Sequence, residues 1–112
     1  MTVYAVQEQL TFDPQIGMNV PRFSTITKAE NFGTLVYVHS PSAHPFDMPT
    51  VVANCHAALE NFCDSDFLIL VGNPILLAVT ACVAAERNNG KVKFLQWSRK
   101  NEQYLIVSSL MY

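Results

Sequence analysis

Charge is scarce in this chain. Only 14% of its 112 residues are Asp, Glu, Lys or Arg, and they sum to a net −2. That is too weak a field to hold a nucleic acid by bulk charge or to imitate one. Glycine is scarcer, at four residues, whereas the loops that cradle phosphates use several in one turn. Three cysteines, Cys55, Cys63 and Cys82, leave at least one unpaired and make no C-x-x-C. The histidines, His39, His44 and His56, make no H-x-x-x-H, so no metal-ligand spacing exists and no metal is expected. The pattern suits reduced thiols in a cytosol. No apolar run is long enough for a membrane span, and no basic stretch followed by an apolar one opens the chain. A soluble intracellular protein of one domain is expected, without repeats or low-complexity tracts.

Half of the residues are apolar, enough for a packed core. The clearest stretch is FLILVGNPILLAVTACVAAERNNG, residues 67–90. Its first five residues are continuously apolar and branched, as in a strand buried on both faces. Gly72 ends the strand, Asn73 offers a side-chain oxygen as a helix cap, and Pro74 suits the first helical position. The helix runs over 74–87 and closes at Asn88-Asn89-Gly90. Its circumference is apolar, with Thr80 the only polar residue before Glu86, so it needs cover on more than one side.

Before it, residues 2–9 form a first strand, and 34–40 (TLVYVHS) a second. Residues 10–33 lose all periodicity between Pro14, Gly17, Pro21 and Gly33 and are expected as an irregular loop or arm, with one turn of helix around 28–31. Three prolines in 41–49 make a loop. A helix over 50–62 follows, with Asp47 as its cap and Val52, Cys55, Leu59 and Phe62 on one stripe. After Gly90, residues 91–98 form a strand whose phase slip at Leu95 and Trp97 marks a bulge or burial on both faces. A polar turn at 99–102 leads to an antiparallel edge strand over 103–108.

The expected fold is therefore α/β: a small Rossmann-like β-α-β-α-β core with a C-terminal antiparallel hairpin, about five strands and two main helices. Right-handed crossovers leave two arrangements. Strands in sequence order put both helices on one face, whereas reversal at the central strand puts them on opposite faces. The wholly apolar central strand favours the reversal.

Few residues carry chemistry. Gly72 and Asn73 sit where a strand meets a helix N-terminus, a place where nucleotides and anions bind, although one glycine and a proline make a plain junction the stronger reading. Lys91, Lys93, Arg99 and Lys100, interleaved with Phe94, Trp97 and Tyr104, form the one basic and aromatic surface, fit for a partner or a single strand of nucleic acid. Cys55 or Cys63 with His39 makes a Cys-His pair on paper, but helix-face cysteines beside Val52 and Leu59 are packing residues. Asp64 and Asp66 are expected as solvated turn residues. No catalytic constellation and no cofactor are expected.

The opening VYAVQE, DSDFLILVGNP, AAERNNGKVKFLQW and the final S-R-K-x-x-x-Y resemble a group of small uncharacterised tailed-phage proteins. Where that group tends to carry Gly-Asp-Pro and Lys-Trp-Asp-Arg, this chain has Gly72-Asn73-Pro74 and Gln96-Trp97-Ser98-Arg99, so carboxylates are missing at both places. The resemblance implies a phage protein made in the cytoplasm of a bacterial host. Together with the apolar surplus on the second helix, it points to a non-enzymatic protein-binding or regulatory role, as an inhibitor or a homodimer, on a host or phage protein.

Overall fold

A computed structural model describes residues 1–109. Its strands are β1 (Thr2–Gln7), β2 (Leu10–Asp13), β3 (Met18–Pro21), β4 (Thr34–His39), β5 (Phe67–Ile69), β6 (Lys93–Ser98) and β7 (Gln103–Ser108). The helices are a 3₁₀ helix, Ser24–Phe32, then α1 (Met48–Ala58) and α2 (Pro74–Arg87). Five strands form one sheet in the order β4-β1-β5-β6-β7, parallel except for the antiparallel β6-β7 pair. The expected β-α-β-α-β core with a C-terminal hairpin is present. Two further strands, β2 and β3, make a separate antiparallel hairpin.

Strand order decides the layers. The connections β4-α1-β5 and β5-α2-β6 advance in the same direction across the sheet, so crossovers of one hand put both helices on one face. Both pack there on Tyr4, Val6, Val38 and Leu68. The connection from β1 to β4 runs the opposite way, and its 3₁₀ helix covers the other face, with Ile26 and Ala29 against Val3, Ala5, Phe67 and Ile69. The expected reversal at the central strand β5 is thus corrected. The chain reverses at β1, which is inserted between β4 and β5, two strands consecutive in the chain.

α2 has the expected bounds, and Asn73 Oδ1 accepts the Ile75 N–H at 2.9 Å. Leu76, Thr80, Val83 and Ala84 are buried. α1 begins and ends earlier than the spacing predicts, and Asp47 makes no side-chain cap. The residue that opens its buried stripe is Val51 rather than Val52, followed by Cys55 at a spacing of four, and Leu59 and Phe62 pack from the turns after the helix. β6 pairs with β7 without a bulge from Lys93-Ser108 to Ser98-Gln103. Its phase slip reflects two covered faces, with Phe94 beside the helices and Leu95 and Trp97 on the 3₁₀ side.

The segment expected to be irregular is the main departure. Residues 10–21 form a hairpin because Asp13-Pro14 opens its turn, where Asp13 Oδ1 accepts the Gln15 N–H, and Gly17 closes it at φ 69°. Strands of four residues are too short to declare themselves by alternation.

Candidate functional site

At the carboxyl edge of the sheet, β1 and β5 lie side by side and send their connections to opposite faces. Such a switch point is where open α/β sheets admit ligands. Here the crevice is filled by Gln7. Its Nε2 donates to the carbonyls of Ser40 (3.2 Å), Pro41 (3.4 Å) and Ala43 (2.9 Å), and its Oε1 accepts the Asn73 N–H at 2.9 Å. Gly72 stands at φ 128°, and a Cβ there would lie 2.5 Å from Gln7 Cβ. Two of the amides expected to greet an anion are therefore engaged, Asn73 by Gln7 and Ile75 by Asn73, and Pro74 has none. The loop after β4 is tied over the same edge. A glutamine ending an apolar strand gave no sequence signal of this role.

Between α1, α2 and β4 lies a buried polar trio. His39 Nε2 is 3.1 Å from Thr80 Oγ1 and 3.4 Å from Cys55 Sγ, and Cys55 Sγ is 3.3 Å from Thr80 Oγ1. All three residues are at most 2% exposed. The structure does bring together the Cys55-His39 pair, but burial pushes the thiol up, with Thr80 opposing, and burial holds the imidazole down. Both shifts favour the neutral pair, the reverse of the thiolate a nucleophile requires. His39 Nδ1 is buried without a partner. A proton on Nε2, donated to Thr80, leaves only a lone pair unsatisfied there, which is less costly than an orphaned N–H. Thr80, the lone polar residue of an apolar helix, was the sequence signal for this cluster.

The basic surface does not form as one patch. Lys91 and Lys93 stand at one end of the β6-β7 hairpin and Arg99 and Lys100 at the other, about 20 Å away across six residues of strand. Lys93 Nζ lies 4.5 Å from the Phe67 ring centre. Tyr104, expected on that surface, is instead core, 7% exposed and edge-on to Trp97 at 5.1 Å. Burial raises its phenol. Asp66 is likewise corrected from solvated turn to buried tie: Oδ1 accepts the Thr2 N–H and Oδ2 the Cys63 N–H, joining the starts of β1 and β5. Asp64 is exposed and accepts from Asn88 Nδ2.

Among the described residues, seven of the thirteen large exposed apolar side chains lie on two elements, while Phe46, in the loop after β4, is the most exposed single one at 95%. The β2-β3 arm shows Phe12 (61% exposed), Ile16 and Met18 (57% each), and β7 shows Leu105, Ile106 and Val107 (41%, 52% and 50%). Beside β7, β5 and β6 share only the Leu68-Phe94 pair before they diverge. A cleft of about 390 Å³ opens there, lined by Ile69, Leu70, Leu95, Trp97 and Tyr104 among others. On α2, Ile75, Ala78 and Cys82 remain exposed, a smaller surplus than its sequence implies. Among the described residues no three His, Cys, Asp or Glu could share a metal ion, and no helix is long and apolar enough to cross a membrane.

A family model described as Phage Pam3 gp32-like protein matches residues 1–110. No curated protein and no solved structure matches the chain.

Proposed function

We propose, for a chain that belongs to the Phage Pam3 gp32-like protein family, a non-enzymatic role in the host cytoplasm: it binds another protein, of phage or host, through the β2-β3 arm and the β7 edge. The carrying observation is the clustering of large exposed apolar side chains on these two elements, Phe12, Ile16 and Met18 on one and Leu105 to Val107 on the other. Scattered apolar residues are ordinary on a protein surface, whereas contiguous ones mark contact sites. An isolated two-stranded hairpin is also marginal in water, so an arm exposed on both faces gains most from being covered. The filled crevice at Gln7 and the neutral Cys55-His39 pair lend no support to a nucleotide-binding or catalytic reading.

The test compares tagged wild-type protein with a Phe12→Ser/Met18→Ser variant in lysate of infected cells treated with nuclease. A protein retained in stoichiometric amount by the wild type and lost by the variant is the expected result. If both retain the same proteins, the arm is not the contact and the reading fails.

A further inference from the structure

We propose that the partner of these two surfaces is a second copy of this chain: the β2-β3 arm of one copy adds its β2 strand, antiparallel, to the β7 edge of the next. This rests on the protein-binding reading and names its partner.

Among the described residues, nothing pairs with the outer edge of either strand. Hydrogen-bonded pairs alternate along an antiparallel ladder. Arg22 N–H bonds Gln9 O, so Thr11-Val20 and Asp13-Met18 are the bonded pairs, and the N–H groups of Leu10 and Phe12 point away from β3. Ser109 N–H bonds Val92 O, so by the same alternation the N–H groups of Tyr104, Ile106 and Ser108 point away from β6. β7 ends the sheet and carries no charge, proline or bulge over QYLIVS. Edges left so bare are templates for another strand, and proteins usually blunt them. Leu105 and Val107 lie on the helix face of the sheet, as their pairing with Gln96 and Phe94 requires, yet both remain exposed. An added strand with its own apolar side chains covers them.

Charge favours this orientation and mode. Asp13 ends β2, and antiparallel addition brings it to the start of β7, beside the turn that carries Arg99, Lys100 and Glu102 with a net charge of +1, while Glu8 before β2 comes toward the Lys91 and Lys93 end. Pairing β7 with its own copy instead sets that basic turn of each chain against the Lys91 and Lys93 end of the other, joining like charges. Area agrees. The surface is 6934 Å², about 770 Å² more than a compact chain of 12.5 kDa exposes. One partner in a standard interface gives up about 800 Å². Because the donor arm and acceptor edge are different surfaces, reciprocal exchange closes a two-fold dimer, and one-way addition, repeated head-to-tail, gives a ring or a filament.

The experiment is sedimentation velocity on the purified, untagged full chain across a wide concentration range, with Phe12→Pro and Ile106→Pro variants. Each proline removes an outward N–H and leaves the inner ladder intact. Phe12→Ser and Ile106→Lys replace either variant whose circular dichroism shows it unfolded. The wild type is expected to assemble with rising concentration and each variant to stay monomeric. A mixture of the two is expected to form a one-to-one pair, because one keeps the edge and the other the arm. A variant that still assembles on its own overturns the arm-to-edge contact in favour of a like-with-like one through the element it keeps, and a mixture that stays monomeric while the wild type assembles overturns it as well. A wild type monomeric throughout overturns self-assembly. If it still retains a phage or host protein through the arm, the binding reading survives, and if its arm variant retains the same proteins, both fail.

Discussion

Gln7 Oε1 accepts the backbone N–H of Asn73 at 2.9 Å across 66 residues of sequence, and by doing so occupies the crevice that this topology leaves between β1 and β5. The same side chain holds three carbonyls of the loop after β4. Gln7 thereby acts as a joint between β1, the loop after β4 and the start of α2.

Gln7→Glu is therefore expected to destabilise strongly. It removes the donor to three carbonyls and sets a carboxylate against them, and each buried group left unpaired costs about 1–3 kcal/mol. Urea unfolding should show a fall of that order or more. An unchanged midpoint would remove Gln7 from this role.

Gly72→Ala acts on the same joint. Its φ of 128° is strained for any L side chain, and the new Cβ meets Gln7 Cβ. A loss of at least about 1–2 kcal/mol is expected, reduced in a Gln7→Gly background, where the steric part vanishes. Fully additive costs in the double-mutant cycle would show that the two residues do not meet.

Thr80→Val deprives both His39 Nε2 and Cys55 Sγ of a partner, at a cost of about 1–3 kcal/mol. In a His39→Leu background the same change should cost less, since fewer polar groups remain to be orphaned. Equal costs in the two backgrounds would mean that the trio does not act as a unit.

Stability should also bend with pH on both sides. Burial holds His39 below its ordinary value, so between about pH 6.5 and that lower value the unfolded chain binds more protons. The contribution of His39 is complete above about pH 6.5 and is lost as pH falls toward the folded value. Cys55 is the alkaline counterpart: its raised thiol keeps its proton when an unfolded one, near pH 8.5, has lost it, so stability declines as pH rises past that point. His39→Gln should flatten the acid limb of urea midpoints measured against pH. An acid limb as steep as in the wild type would assign it to other groups.

Thiol reagents offer a check on burial. Cys63 and Cys82 are exposed and Cys55 is buried, so two thiols should react in the native protein and the third only in denaturant. Rapid reaction of all three in the native state contradicts the packing of α1 on β4.

What the sequence by itself determined is local. The bounds of α2, its Asn73 cap, the proline after it and the edge position of β7 follow from residues within a turn or two of each other, where caps and φ preferences act. Tertiary structure decided everything that depends on residues far apart in the chain. The order of strands turns on β1 slipping between β4 and β5, which no local preference encodes. Tyr104 and Asp66 have ordinary surface residue types, and only the 3₁₀ helix over one and the start of β1 beside the other bury them. The arm stands between the two cases: Asp13-Pro14 and Gly17 spell its turn locally, but its strands are too short for periodicity to show. Gln7 had no local mark of its role, because the backbone groups it ties together lie 33 to 66 residues away and a hydrogen bond across that distance exists only once the sheet has formed.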